Sequence, residues 1–220
     1  LFMVSSSTPT DARSFFTEIL QLRPDISRRD TLLLRIGEIL ESNDSTTAAL
    51  ATYSGILQQY PASPSSEESR YRCFALLLKV GLEDSAYNEG VRYLSLYPSG
   101  AHSATLLSRL GDIAMRNGKT DRALEFYQRL AGDFSYADIA ANARRRLADA
   151  YSAAGNYAAA VALYTDLLEQ QRRNPLSEGE VEPDLLLALG KTCHLAGEPQ
   201  RAKTFLFQLL ARERTGERAG

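Results

Sequence analysis

Histidine and cysteine are the residue types in this chain best suited to metal binding or nucleophilic catalysis. His102 and His194 are the only histidines, Cys193 adjoins His194, and Cys73 lies far away along the chain. A zinc site needs about four converging ligands, usually with short paired spacings, and no CxxC, HxxxH or HExxH pattern occurs. Both cysteines fall on apolar faces of helical segments, so we predict that they are core residues. The sequence therefore predicts no metal, no cofactor and no catalytic residue.

Two Gly-Lys pairs and the arginine clusters are the remaining candidates for binding chemistry. Gly118-Lys119 and Gly190-Lys191 lack the preceding glycine of a phosphate-binding loop. The cluster Arg144-Arg145-Arg146 lies on a helical segment, where neighbouring side chains point in different directions. With a formal net charge of −2, bulk attraction to nucleic acid is not expected. No apolar run approaches the ~20 residues of a membrane span, so we predict neither nucleic-acid binding nor membrane insertion by this segment.

The segments that carry these residues repeat every 37 residues. Alanines recur at Ala12, Ala49, Ala86, Ala123 and Ala160. Aromatic residues recur at Phe16, Tyr53, Tyr127 and Tyr164, small residues at Gly37, Gly111 and Ala148, and glycines at Gly81, Gly118 and Gly155. After Gln171 the register slips by five residues and then resumes, and the loop-forming composition of residues 172–183 places this insertion between repeats.

Each period reads as two antiparallel helices joined by a short turn. In the third, Leu106, Leu110 and Ile113 follow the spacing of an amphipathic helix, which stops at Asn117-Gly118. Sustained alternation typical of strands is missing. Small residues allow two helices to approach closely, and an aromatic ring fills the space beside the crossing. The sequence therefore predicts an all-α fold of stacked helix pairs.

These columns resemble the tetratricopeptide repeat. The matching positions are Leu110, Gly111, Gly118, Ala123 and Tyr127, then Leu147, Ala148, Gly155, Ala160 and Tyr164, then Leu189, Gly190, Gly197 and Ala202, with Leu206 in place of the ring. The resemblance implies a right-handed α-solenoid of about five and a half repeats. The period exceeds the usual ~34 residues and is similar to the longer repeats of bacterial cell-envelope proteins, such as outer-membrane assembly lipoproteins and periplasmic Tol–Pal coordinators. A periplasmic or cell-envelope location is the expectation that follows.

The repeat boundaries give a predicted domain organisation. A trimmed or disordered segment, 1–10, precedes a repeat domain, 11–213, and a flexible tail, 214–220. The predicted units are a half-repeat at 11–23 and pairs near 30–60, 67–97, 104–134, 141–171 and 183–213. The opening half-repeat suggests a piece of a larger protein.

The second pair departs from the pattern in two columns. Phe74 stands in the small-residue column and Gly90 in the aromatic column. One hypothesis is that the two exchanges compensate in volume, since volume-conserving changes are tolerated best in cores. The alternative is a degenerate, loosely packed repeat.

The resemblance places a binding groove on the first helix of each pair. Its predicted lining is Leu34, Glu38, Glu41, Tyr71, Ala75, Ser108, Asp112, Met115, Arg145, Asp149, Leu187, Lys191 and His194. The family's carboxylate clamp is not matched, because its Lys-then-Asn pair reads Arg145/Asp149 and Leu187/Lys191 in the last two units. The mixed lining suits a peptide or helix and predicts a protein–protein interaction scaffold. The alternatives are a structural spacer or self-association segment of an envelope protein, and the regulatory region of an enzyme whose catalytic part lies elsewhere.

Overall fold

The computed structural model describes Ser14, Glu18 and residues 28–134, 137–173 and 181–216. The segment predicted at 1–10, the half-repeat at 11–23 apart from Ser14 and Glu18, residues 174–180 of the insertion and the end of the tail, 217–220, lie outside this part of the chain. The domain boundaries at both ends therefore stay predictions.

Helices make up most of the described residues, and no strand occurs among them. The helices are α1 (Arg29–Ser42), α2 (Thr46–Gln59), α3 (Pro64–Lys79), α4 (Glu83–Leu96), α5 (Ser103–Arg116), α6 (Thr120–Asp133), α7 (Ala137–Ala153), α8 (Tyr157–Arg173), α9 (Val181–Leu195) and α10 (Pro199–Gly216). They form two compact units, Leu1–Leu106 and Leu107–Gly220. Helices that follow one another pack together at α1/α2, α2/α3, α3/α4, α6/α7, α7/α8, α8/α9 and α9/α10, and Gly111 of α5 lies against Tyr127 of α6. These contacts confirm the predicted all-α fold of stacked helix pairs.

A residue with positive φ joins the two helices of each pair. The glycines at these turns are Gly81, Gly118, Gly155 and Gly197, with φ between 69° and 78°. After Gly118, the Lys119 N–H donates to the Ala114 carbonyl over 2.8 Å, which satisfies one of the last carbonyls of α5. Glycine suits this position because it has no Cβ to clash in the left-handed region. In the first pair, Asp44 takes the same place with a φ of 53°.

The helices of a pair cross where the small-residue column meets the aromatic column. A Cβ added to Gly37 would lie 2.8 Å from Cδ1 of Tyr53, and one added to Gly111 would lie 2.7 Å from Cζ of Tyr127. The two columns thus touch directly, and the ring occupies the volume that a side chain on the facing helix would need. In the last pair Leu206 replaces the ring and would meet a Cβ at Gly190 within 2.7 Å.

The pair α3/α4 buries both of its exchanged residues. Phe74 is 2% exposed, and Gly90 is buried on α4. Because the two columns touch at Gly37, Gly111 and Gly190, a ring in the α3 column and a glycine in the α4 column fit a reciprocal exchange. Whether the two residues compensate energetically remains a prediction.

The cores of both units are apolar, and both cysteines belong to them. Cys73 packs with Tyr53 and Ile56 in the first unit, and Cys193 packs with Leu189 in the second. Burial raises the pKa of the Cys73 thiol to about 11. Among the described residues, no three His, Cys, Asp or Glu side chains come together as a metal-binding group. None of the described helices combines the length and the apolarity that crossing a bilayer requires.

Candidate functional site

The predicted groove residues all lie on the first helices of the pairs, and none of them is buried. They occupy α1, α3, α5, α7 and α9. Asp149, Leu187, Lys191 and His194 are exposed, and the other nine are partly exposed. The predicted groove residues are therefore at least partly accessible to solvent on each of these helices. The contacts that their side chains make differ from helix to helix.

In the first unit, the predicted acids already bind neighbouring side chains. The Tyr53 hydroxyl donates to the Glu41 carboxylate over 3.1 Å, and Arg72 Nη1 lies 3.3 Å from the same carboxylate. Arg72 also lies 3.9 Å from Glu38 and donates to Glu68 over 2.6 Å. Glu38 and Glu41 of α1 thus hold α1 against its neighbours, through contacts with Arg72 of α3 and, for Glu41, with Tyr53 of α2.

Tyr71 is covered by an imidazole. Its ring stacks on His102 with centroids 3.7 Å apart and planes within 2°. His102 Nε2 lies 2.7 Å from a Glu68 carboxylate oxygen. Burial alone would raise the pKa of Glu68, but hydrogen bonds from Arg72 and His102 lower it below its usual value. Sequence reasoning missed this contact, because His102 lies on the loop before α5 and 31 positions beyond Tyr71.

The second unit repeats the combination of tyrosine, acid and arginine. The Tyr127 hydroxyl donates to Asp112 over 2.8 Å, and Arg146 also donates to Asp112. The Tyr164 hydroxyl donates to Asp149 in the same way. Each tyrosine comes from the second helix of the pair and each acid from the first, so the bond locks the pair across its crossing. Burial, followed by the hydrogen bond to Asp149, raises the pKa of Tyr164.

Each arginine of the cluster on α7 pairs with a different carboxylate. Arg144 pairs with Asp166 at 3.5 Å, Arg145 with Asp149 at 3.9 Å, and Arg146 with Asp112. The three side chains therefore point in different directions, as the helical spacing predicts.

An open cleft of about 500 Å³ lies between α7 and α9 in the second unit. Four predicted groove residues line it, namely Arg145, Asp149, Leu187 and Lys191. Sequence reasoning missed the rest of the lining, which is Ser152, Ala153, Tyr164, Asp184, Ala188, Thr192 and Leu195. Leu195 could have been found, because Leu187, Lys191 and Leu195 follow the four-residue spacing of one helix face. His194, Ser108 and Met115 are not part of the lining.

The charged groups of the cleft differ in how well they are satisfied. Arg145 Nε is buried and has no hydrogen-bond partner in the described part of the chain, since its 3.9 Å separation from Asp149 Oδ1 is too long for a hydrogen bond. Lys191 is exposed, and no acid among the described residues pairs with it. By contrast, Asp149 accepts a hydrogen bond from Tyr164. The cleft thus carries two cations and two carboxylates; Arg145 pairs with Asp149, and Lys191 has no acidic partner among the described residues.

Comparison with solved structures shows the same fold in distant relatives. YrrB, described as a TPR protein with an unusual peptide-binding site, has a TM-score of 0.63 at 15% identity and covers 89% of this chain and 91% of its own. The MamA protein has a TM-score of 0.64 at 16% identity over 86% of this chain and 94% of its own. BtubC from P. vanneervenii has a TM-score of 0.64 at 15% identity over 96% and 90%. At these identities the likeness shows the fold alone.

Family models identify the repeats themselves. Three models described as tetratricopeptide repeat match residues 31–63, 102–173 and 145–215. A search of curated proteins gives no match. The matched residues include the Gly37, Gly111 and Gly190 crossings and the turns at Asp44, Gly118 and Gly197. The chain therefore belongs to the tetratricopeptide repeat family.

Proposed function

We propose that this chain is a protein–protein interaction scaffold that holds a peptide or a segment of a partner subunit in the cleft between α7 and α9. The observation that supports this most directly is the lining of the cleft, where exposed Leu187 and Leu195 flank charged side chains. Apolar anchors beside a few polar groups are the usual composition of a peptide-binding groove. The packed pairs α7/α8 and α9/α10 hold both walls.

Selection from a displayed random-peptide library tests the proposal. Ala153 is exposed at the wall of the cleft, so Ala153→Trp fills the cleft without disturbing the core. Ala158 is equally exposed but lies on α8 outside the cleft, so Ala158→Trp is the matched control. We expect the wild type and Ala158→Trp to enrich the same peptides and Ala153→Trp to lose them. Enrichment that survives Ala153→Trp, or no enrichment by the wild type, contradicts the proposal.

Self-association is a second candidate function, favoured by the exposed apolar side chains of α10. Leu206, Phe207 and Leu210 are exposed there, and such clusters often mark contact surfaces. Sedimentation equilibrium of the wild type and of Phe207→Lys distinguishes the candidates. A concentration-dependent mass that the substitution abolishes favours self-association, and a constant monomer mass rejects it.

We also propose that the chain acts in a bacterial cell envelope. The 37-residue period, which is similar to that of envelope repeat proteins, is the observation behind this location. Fractionation of cells that express the gene from its own locus tests it, because recovery in the cytoplasmic fraction contradicts the proposal.

A further inference from the structure

We infer that the outer face of α10 docks an amphipathic helix of a partner protein, with an acidic residue at each end of a short apolar row. The outer face is one row of residues on a single side of α10, spaced four, three and four positions apart: Lys203, Phe207, Leu210 and Arg214. None of these residues lines the cleft between α7 and α9, so the inference concerns a second surface and goes beyond the proposed function.

The apolar centre of the outer face is open to solvent. Phe207 is 67% exposed and Leu210 is 51% exposed. The opposite side of α10 is packed, because Ala202 is buried and Leu206 lies against Gly190 of α9. The exposure therefore belongs to one side of a packed helix, and two large apolar neighbours exposed there are typical of a contact surface.

The same positions of α8 are covered by the next helix. In the 42-residue register, Lys203 and Leu210 correspond to Val161 and Leu168, which are 7% and 3% exposed. Val161 and Leu168 share a core cluster with Leu185 of α9, and α9 packs along α8. The outer face of α10 thus occupies the place in its pair that α9 covers in the pair before.

The position of Phe207 also contacts the following helix in earlier repeats. Its equivalents on α2 and α6 are Ser54 and Gln128. The Ser54 hydroxyl lies 3.9 Å from Cys73 Sγ on α3, and Gln128 Nε2 donates to the Tyr151 hydroxyl of α7 over 2.9 Å. Each contact joins the second helix of one pair to the first helix of the next. The register therefore favours a helix as the occupant of the outer face.

The charges at the two ends of the row favour acids on that helix. Lys203 is exposed, and no acid among the described residues pairs with it. Arg214 stands at the register position of Arg172, which donates over 2.9 Å to Glu182 in the first turn of α9. The row itself holds no carboxylate, since the single acid of α10, Glu213, falls outside it. Complementary charges set the specificity and orientation of such a contact.

The antiparallel packing of neighbouring helices fixes the order along the partner helix. The bond between Arg172 and Glu182 joins the end of α8 to the start of α9. Lys203 and Arg214 are eleven residues apart, which is about 16 Å along a helix. We therefore expect an acid in the first turn of the partner helix, then an apolar row, then a second acid about three turns after the first.

The same charges disfavour a second copy of α10 as the occupant. Lys203 lies four residues before Phe207, and Arg214 lies four residues after Leu210. Two antiparallel copies that share their apolar centres would therefore place the lysine of one copy opposite the arginine of the other. Like charges in opposition destabilise a contact, whereas a helix with acids at both ends satisfies the whole row.

Selection from a library of displayed helical peptides tests the inference. Each peptide is about 18 residues long, which suffices for an isolated helix, with an alanine-rich back and one randomised face. We expect the immobilised wild type to enrich Leu, Ile or Phe in the middle of that face and Asp or Glu at both of its ends. Enriched peptides that lack the terminal acids, or carry Lys or Arg there, overturn the inference, and so does a lack of enrichment.

Two matched truncations locate the contact. Leu210→Ala should weaken an enriched peptide about tenfold or more in fluorescence anisotropy, because a leucine side chain leaves the interface. Leu195→Ala removes the same side chain from a 59% exposed position in the cleft and should leave binding unchanged. Thermal unfolding checks that both variants keep their fold. A loss with Leu195→Ala that equals or exceeds the loss with Leu210→Ala overturns the inference and leaves the cleft proposal standing.

A charge exchange tests the predicted acids directly. Lys203→Glu should weaken an acidic peptide about threefold to tenfold, and the difference should shrink as salt is raised. Replacing the second acid of the peptide by lysine should restore binding to Lys203→Glu. Lys191→Glu makes the same charge change in the cleft and should change nothing. Equal effects of the two substitutions overturn the inference.

Sedimentation equilibrium separates the partner helix from a second copy. A constant monomer mass for the wild type, together with binding of the acidic peptides, is the result that the inference expects. A mass that rises with concentration and that Phe207→Lys returns to the monomer value assigns the outer face to a second copy and overturns the inference. The cleft proposal is unaffected by either result, because its own test uses Ala153→Trp.

Discussion

The pairs α5/α6 and α3/α4 carry the ring and the small residue of their crossing columns on opposite helices. In α5/α6, Gly111 on the first helix faces the Tyr127 ring on the second. In α3/α4, the ring of Phe74 stands on the first helix and Gly90 on the second. Each of these two pairs thus has one ring and one small residue in these columns, but the ring is on the second helix in α5/α6 and on the first helix in α3/α4.

The hydroxyl-to-acid bond of the two pairs also differs in position. Tyr127 donates to Asp112, next to the crossing glycine. In α3/α4 the bond runs from Tyr93 to Glu67 over 2.5 Å, in a column that holds aliphatic residues in other repeats. Tyr93 lies three residues after Gly90 on α4. Because α3 and α4 are antiparallel, its hydroxyl reaches an acid near the start of α3, Glu67, and not one beside Phe74.

The largest expected effect comes from the exchanged residues themselves. Phe74→Gly should cost about 3–5 kcal/mol of unfolding free energy, because it removes a buried ring. Gly90→Tyr should cost about 1–3 kcal/mol, because it adds a ring at a buried position. If the exchanges compensate, the double variant should cost less than the sum of the two by at least about 0.5 kcal/mol. Urea unfolding measures all three.

The control for this cycle pairs Phe74→Gly with Gly132→Ala, a position on α6 in the other unit where an added Cβ meets nothing within 4 Å. That pair should be additive. If Phe74→Gly and Gly90→Tyr are additive as well, the compensation hypothesis is wrong and the alternative of a loosely packed repeat is preferred.

The next effect in size is at the crossing of α5/α6. Gly111→Ala should cost about 1–3 kcal/mol, because its Cβ would lie 2.7 Å from Cζ of the buried Tyr127 ring. The matched change is Ala148→Gly in the same column, which should cost only about 0.5–1 kcal/mol from the helix propensity of glycine. Denaturant midpoints measure both, and a cost for Gly111→Ala no greater than that of Ala148→Gly would contradict close contact at the crossing.

The turns should not distinguish the two pairs. Gly118 and Gly81 have φ of 69° and 78°, and an added Cβ would meet nothing within 4 Å at either. Substitution by alanine should therefore cost about 1–2 kcal/mol at both, from the left-handed conformation alone. Thermal unfolding compares them, and unequal costs would show that the pairs differ beyond their crossings.

The smallest effect concerns the hydroxyl of Tyr127. Tyr127→Phe should cost about 0.5–1.5 kcal/mol at neutral pH, the usual net value of one hydrogen bond. Burial, and then the Asp149 charge, raise the pKa of Tyr127 to about 12, above the ~10 of an unfolded tyrosine. The folded state then holds its proton where the unfolded state loses it, so this stability is complete below pH ~10 and declines as the pH rises through 12.

Urea unfolding of the wild type and of Tyr127→Phe between pH ~7 and ~12 measures how the contribution of the Tyr127 hydroxyl to stability changes with pH. Wild type and Tyr127→Phe share every other titrating group, including Tyr53, Tyr93 and Tyr164, whose pKa values burial also raises. The stability of both proteins should therefore decline, and the additional decline of the wild type reports Tyr127. Parallel curves for the two proteins would show that the hydroxyl titrates as in the unfolded chain.

The sequence by itself determined the helix pairs, their turns and their crossings. Gly118 marks a turn because few other residues tolerate positive φ, and Tyr60 and Tyr97 follow the ends of α2 and α4 because each precedes a proline. The turn at Asp44 was missed, because the search followed a column of glycines. An Asp can also adopt positive φ, and Asp44 does so.

Only the tertiary structure decided which exposed residues share a site. The contact of Tyr71 with His102, the bond of Arg146 to Asp112 and the assembly of Leu195 with Arg145 in one cleft join residues from different repeats. A repeat pattern fixes which face of a helix a residue occupies, because helical spacing depends on local geometry alone. Partner choice among surface side chains depends on distances between helices, and those distances are set by the packing of whole pairs.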